Sequence, residues 1–481
     1  MKKSRIILVL LAAIATFLLV YSPHYRYPFP SHADEWRHIT EAIRFETGGY
    51  FEKLAGLDLT ARFGLGFHIV LLPLLKIVDL VLVYKFLPAI WAVLSALALF
   101  FIAYRKTGED FFTALMAVVF LASIKSNANI IGLWFFTPLT FSIPLILLYV
   151  YFFTEGLEKE NKKFILLALL IMAFILPVHA ISVLFAFPFL AIYSLFNLRY
   201  IKKEWKFFSL FLIIPLIGAV FYKFILRVPW QDLINNMMQA LQFNRGWEKV
   251  KINNSPSELY SLVGYILVIP GILFIFANRD NFKKYLAYLL WPVCVLISII
   301  VCRISGISYL VPYQRNLYYF AISLPLLSAL GTGYLFKRIR KVSKNAAYIF
   351  IIIIVVSTFW SYWRIPKQLD LYEAIDDSDY RALLFLSSFA QPCVVMAPAG
   401  ISEALYAVSR HDDPVATYAL GGNRQDLEEF FNTEDCKIKE QIIGKYGVRL
   451  VLSKLKINCG WRLIYDKGDY IYEANSSTLS K

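Results

Sequence analysis

Charge is scarce in this chain and cysteine scarcer. Only 17% of its 481 residues are Asp, Glu, Lys or Arg, against 58% hydrophobic, and the mean hydropathy is +0.57. A soluble protein of this length needs more charge than that to cover its surface. Five Cys in such a chain exclude a small disulfide scaffold. Disorder is excluded by 40 Phe, 30 Tyr and 10 Trp. No G-x-x-x-x-G-K-[ST] is present, so there is no P-loop, and Gly64-Leu65-Gly66 lacks the third glycine of a dinucleotide fingerprint. There is no H-E-x-x-H and no Cys pair at zinc spacing. The apolar runs carry few charges, and Lys223 sits near a run's end where it can snorkel, so an ion relay inside the membrane lacks support.

What is abundant is apolar runs of spanning length. At roughly 20 residues per crossing, about eleven helices are expected, near 4–22, 86–104, 110–124, 136–154, 164–180, 181–198, 207–225, 259–277, 283–302, 312–336 and 346–363. The first opens on Lys2, Lys3 and Arg5 and lacks a small-residue cleavage site, so it reads as an uncleaved span. The formal net charge of +15 belongs to the loops. With the N-terminus in the cytoplasm, the inner loops hold 20 Lys and Arg and the short outer loops 7. That is the positive-inside bias, and it leaves no need for a nucleic-acid partner.

An odd number of spans puts the C-terminus outside. The expected division is a membrane domain over 1–363, with a long first outer loop at 23–85, and an extracytoplasmic domain over 364–481. The run 63–82 is apolar enough to cross, yet counting it would turn the basic loops outward; it reads as a helix lying in the outer face. In the tail, Cys393–Ala397, Val448–Ser453 and Tyr470–Tyr472 read as strands, and Asp426–Phe431 and Thr433–Tyr446 as helices. Such alternation is that of a small α/β domain. Cys436 and Cys459 are a possible pair, with Cys393 left over, and spacing alone does not decide it. Asn253 and Asn475 match the glycosylation pattern.

The polar chemistry gathers on the outer side, where this topology puts all six His. The densest cluster is Ser31-His32-Ala33-Asp34-Glu35-Trp36-Arg37-His38, about nine residues past the first helix. Ser31 or Asp34 has the make-up of a helix cap, with Glu35 in the first turn. Two adjacent carboxylates beside Trp, Arg and two His exceed what a cap needs. A carboxylate held at the membrane face is suited to taking a proton from an acceptor hydroxyl as it attacks an activated sugar.

With Asp34 and Glu35 near the start of a long outer loop, a many-helix body and an outer C-terminal domain, the chain resembles the GT-C superfamily of membrane glycosyltransferases, in its oligosaccharyltransferase and protein mannosyltransferase-like group. Gly66-Phe67-His68 with Pro73 resembles the surface helix of such proteins, and Pro312-Tyr313-Gln314-Arg315-Asn316 their Arg-bearing stretch. The resemblance implies a sugar donor on a polyprenyl or dolichol phosphate, a glycan, lipid or protein acceptor, and catalysis at the outer face of the cell membrane. It puts the base at the first acid, Asp34. No WWD-type motif is present, since Trp461 is followed by Arg462, so transfer of a whole glycan to Asn is not expected; nor is there a His-Pro-Pro run in the first loop.

The departing lipid phosphate is already an anion and needs positive charge and donors, not a second carboxylic acid. One base then suffices, with inversion at the sugar. Arg315, Arg303 and His179 are the phosphate candidates, and Arg37, His38 and His68 join them around the substrate. Arg315 also suits an interfacial anchor beside Tyr313, Tyr318 and Tyr319, while His179 and His68 suit helix ends. No cofactor is called for, though a divalent metal is compatible with the acids. The rival readings are a lipid or oligosaccharide flippase, which needs paired broken helices not seen here, and a non-catalytic assembly subunit.

Overall fold

The computed structural model describes residues 3–47, 65–126, 130, 132–224, 229–231, 234–235, 256–306, 308, 311–363, 373–389, 391–412 and 423–474. Asn253 and Asn475 lie outside them. The helices are α1 (Lys3–Tyr21), α2 (Ala33–Glu46), α3 (Leu65–Leu75), α4 (Leu80–Val83), α5 (Leu87–Lys106), α6 (Phe111–Ala122), α7 (Pro138–Glu158), α8 (Lys162–Leu184), α9 (Phe187–Leu195), α10 (Leu198–Lys203), α11 (Trp205–Phe224), α12 (Pro256–Leu259), α13 (Leu262–Phe276), α14 (Arg279–Ser305), α15 (Tyr313–Val342), α16 (Lys344–Trp363), α17 (Asp377–Ser387), α18 (Ala399–Ser409), α19 (Arg424–Asn432) and α20 (Cys436–Tyr446). Among the described residues there are four strands: β1 (Val395–Met396), β2 (Leu450–Ser453), β3 (Arg462–Asp466) and β4 (Tyr470–Glu473).

The chain is an α-helical polytopic membrane protein with a small α/β domain near its C-terminus. Apolar runs become helices because a bilayer offers backbone groups no partner, and only a helix satisfies them within one segment. Among the described residues, six stretches are long and apolar enough to cross: Lys3–Tyr25, Leu80–Lys106, α7, α8, α14 and α15. Shorter apolar helices include α3, α6, α13 and much of α11 and α16. Every expected span coincides with a helix except 181–198. There α8 runs on to Leu184, and α9 has only 9 residues, too few to cross. Pro177 removes a rung of the helical ladder and His179 leaves helical geometry (φ −157°, ψ 79°), so α8 is two helical segments joined at a kink beside the expected boundary at 180. The run 63–82 yields α3, 11 residues long or about 16 Å, short of a crossing as expected.

Two compact units result. One comprises Met1–Ser22, Phe63–Phe67 and Phe86–Pro366; the other comprises Pro23–Arg62, His68–Lys85 and Lys367–Lys481. In the first unit α13 and α15 cross with their backbones touching. A Cβ on Gly331 would stand 2.0 Å from the Leu267 carbonyl oxygen, and one on Gly271 2.1 Å from that of Leu327. Small residues at such crossings let helices exploit close packing where lipid removes the hydrophobic drive. Leu212, Leu216, Ile217, Ile352 and Ile353 are exposed, which suits hydrocarbon rather than water. Lys106, buried at the end of α5, contacts Glu155 at 2.7 Å and Glu158 at 2.8 Å, and Tyr193 donates to Glu158 at 2.9 Å. The buried cation is thereby paired, without which its burial is prohibitive.

In the second unit the sheet order is β1-β2-β4-β3, with β1–β2 parallel and the other pairs antiparallel. Met396, Val451 and Tyr472 from the sheet, with Leu427, Phe430, Ile442 and Ile443 from α19 and α20, form its core. The three strands read from the sequence are present. The fourth, β3, is an edge strand that alternates poorly and carries Arg462 and Asp466, so period-2 patterning does not reveal it. Cys436 and Cys459 form a disulfide, and Cys393 is free.

Candidate functional site

In α2 the sequence places Trp36, Ile39, Ile43 and Arg44 on one buried face, the spacing of a helix seated on a partner. That partner is α18. The Arg44 guanidinium lies 4.4 Å over the Tyr406 ring and donates to Asp412 Oδ1 at 3.1 Å, with Glu41 at 3.6 Å. The cap of α2 is neither Ser31 nor Asp34. His32 caps it: its Nδ1 accepts the Asp34 N–H at 3.0 Å. Both acids therefore fall in the first turn, where the helix dipole favours them.

The two acids then part company. Glu35 is fully buried and its Oε2 accepts the Ser31 N–H at 2.9 Å. Asp34 keeps 31% of its side chain exposed, with His32 Nδ1 at 3.9 Å. Neighbours on a helix point about 100° apart, so one is consumed by the loop's structure while the other meets solvent. Tyr84 is fully buried within the electrostatic reach of both. In the sequence Tyr84 is one of 30 tyrosines, with no motif to distinguish it.

His38 and His68 come together. His38 Nδ1 stands 3.1 Å from His68 Nε2, so one of the two donates a ring N–H to the other. His68 is fully buried in α3, and burial, with the nearby Arg37 charge, lowers its pKa to about 3. It is a neutral imidazole at working pH. His24, also buried, meets the Tyr27 carbonyl at 3.1 Å through Nδ1. His411 joins the Cys393 N–H to the Leu386 carbonyl, a structural role.

Arg315, Arg303 and His179 belong to the membrane unit. Arg315 is buried in the first turn of α15, within electrostatic reach of His179 and Tyr319. At the α8 kink His179 Nδ1 meets Ser182 Oγ at 2.7 Å, and that hydroxyl meets the Tyr319 hydroxyl at 2.8 Å. Arg303 Nε donates to the Tyr313 hydroxyl at 2.7 Å. Gln314, fully buried beside Arg315 in sequence, has neither amide atom hydrogen-bonded. Among the described residues, the one cluster of three close metal-donor side chains is Asp376, Asp379 and Asp469, not the pair Asp34–Glu35.

No family model matches the chain, and no curated protein does. Solved structures do match. An oligosaccharyltransferase of Archaeoglobus fulgidus, in complex with Zn and sulfate, aligns over 93% of this chain and 68% of its own at a TM-score of 0.56 and 14% identity. The same enzyme tethered to an acceptor peptide containing the NVT sequon aligns over 94% and 69% at 0.53 and 12%. ArnT of Cupriavidus metallidurans bound to undecaprenyl phosphate aligns over 99% of both chains at 0.54 and 12%. Identities this low speak to architecture, and on that ground the chain shares the fold of the oligosaccharyltransferase and of ArnT.

Proposed function

We propose that this protein is a membrane glycosyltransferase that moves a sugar from a polyprenyl-phosphate donor to an acceptor hydroxyl at the outer face, with inversion. The observation that carries the reading is the partly exposed Asp34 in the first turn of α2, on a chain with the GT-C fold. Asp34 takes the hydroxyl proton as that oxygen bonds to the anomeric carbon. The bond from that carbon to the phosphate oxygen breaks, and its electron pair leaves with the lipid phosphate. Arg315 offers that anion a charged fork of donors. Undecaprenyl phosphate bound to ArnT supports a lipid-phosphate donor, and hydroxyl-bearing lipid, glycan or protein remains the acceptor class. Zinc in the oligosaccharyltransferase raises a metal at the acids; with Glu35 already engaged by Ser31, no step here is routed through one.

We infer further that the N-terminus is cytoplasmic and the C-terminal domain extracytoplasmic. The charge split supports this, as does the Cys436–Cys459 disulfide, a bond that persists in oxidising compartments. Two measurements test the reading. Membranes carrying the protein, given labelled polyprenyl-phosphate sugars, yield a labelled product that Asp34→Asn membranes do not make; absence of any product from every donor rejects enzymatic transfer. Lys456→Cys, at an exposed site of the tail, is labelled from outside in sealed right-side-out vesicles; protection there reverses the topology.

A further inference from the structure

Two short acidic segments of the C-terminal domain meet. One is the start of α17, Asp376-Asp377-Ser378-Asp379. Asp376 Oδ1 caps the helix, accepting the backbone N–H of Ser378 at 2.8 Å and of Asp379 at 2.9 Å, while Asp379 Oδ2 accepts the Asp376 N–H at 2.7 Å. The other is the turn between β3 and β4, Asp466-Lys467-Gly468-Asp469. Gly468 lies at φ +103°, and a Cβ there would stand 2.9 Å from Ser378 Cβ. Only a glycine lets the turn close onto the start of α17 in this way, and the closure delivers Asp469 beside Asp379.

Helix capping and one lysine leave this cluster unsatisfied. Lys454 Nζ reaches Asp376 Oδ2 at 2.7 Å and Asp379 Oδ2 at 2.6 Å. Asp379 Oδ1 and both oxygens of Asp469 have no hydrogen-bond donor, and Asp469 is completely buried. One oxygen from each of Asp376, Asp379 and Asp469 falls within 4.8 Å of the others. Three acids share one ammonium, and a buried carboxylate without a donor is costly. The missing partner must carry positive charge and accept oxygen ligands. Carboxylate oxygens alone select a hard cation. Ca²⁺ tolerates variable ligand number and geometry, while Mg²⁺ demands a near-ideal octahedron.

We propose that Asp376, Asp379 and Asp469 hold a calcium ion that ties the β3–β4 turn to α17. Calcium answers the excess of carboxylates and takes one ligand oxygen from each of the three acids. The site is independent of glycosyl transfer, and its test does not use activity.

The full-length protein in detergent, stripped with chelator, is titrated with Ca²⁺ by calorimetry and followed by thermal unfolding. One ion per chain is expected, with a dissociation constant of about 10⁻⁴–10⁻³ M, the range of extracellular modules, together with a calcium-dependent rise in the unfolding midpoint. Asp469→Asn abolishes both, yet without calcium it unfolds no earlier than the stripped wild type, since it removes a repelling charge. Lys454→Gln binds calcium more tightly, having lost the competing ammonium. The proposal is overturned if wild type binds no calcium, if Asp469→Asn binds it equally, or if Lys454→Gln binds it more weakly. A shared proton between Asp379 and Asp469 gives the first of these results.

Discussion

Arg44 and Asp412 are 368 residues apart in sequence and joined by a hydrogen-bonded ion pair, Nη2 to Oδ1, at 3.1 Å. The guanidinium is buried beneath Tyr406 and also faces the fully buried Glu41. Through it the helix that carries Asp34 is locked to a helix of the C-terminal domain. Arg44→Met keeps the apolar stem but removes the guanidinium that Glu41 and Asp412 face. Removing one member of such a buried pair is expected to destabilise by roughly 2–3 kcal/mol, read as a lower unfolding midpoint. A variant as stable as wild type would show that the ion pair adds nothing beyond packing.

Asp34 and Glu35 differ in surroundings and so should differ in mutation. Asp34→Asn keeps the size of the side chain and loses the base, which typically costs about 10²–10⁴-fold in rate, with folding unchanged. Glu35→Gln replaces a buried acceptor of the Ser31 N–H, and its main effect is expected on stability. The measurement is turnover with a lipid-linked donor beside the unfolding midpoint of each variant. If Glu35→Gln abolishes turnover and Asp34→Asn does not, the roles are exchanged.

Arg315→Lys retains charge and loses the planar fork. Turnover is expected to fall at least about tenfold, the equivalent of one charge-assisted hydrogen bond, while the protein folds normally. An unchanged rate would make Arg315 an interfacial anchor beside Tyr318 and Tyr319.

The buried His68 makes stability depend on pH. Its folded pKa of about 3 lies below the ordinary 6.5, so between those values the unfolded chain binds the proton that the folded chain refuses. Stability is fully present above about pH 6.5 and falls as pH drops towards 3, by at most about 1.4 kcal/mol per pH unit for one proton. His68→Gln should flatten that slope. An identical slope in the variant would assign the acid sensitivity to other groups.

Helix positions were legible because a bilayer imposes a length and a composition on each crossing, and no neighbour is needed to read either. The short edge strand β3 was not, since its pattern is set by what covers it. Nor was the break at 181–198, because a proline within an apolar run bends a helix or ends it according to the packing around it. The acid pair stood out by composition, but its division of labour did not: Glu35 is spent on Ser31 only once the loop turns back into α2.

The sequence by itself determined that the chain spans a membrane, roughly where its helices fall, and that its titratable chemistry collects near Asp34. Hydropathy and charge are local properties, and a run of residues carries them wherever it packs. Only the tertiary structure decided that 23–62 and 68–85 fold in one compact unit with 367–481. It alone paired His38 with His68, Arg44 with Asp412, and Asp379 with Asp469. Those meetings depend on loop closure and side-chain direction, which join residues from distant parts of the chain and leave no periodic trace in it.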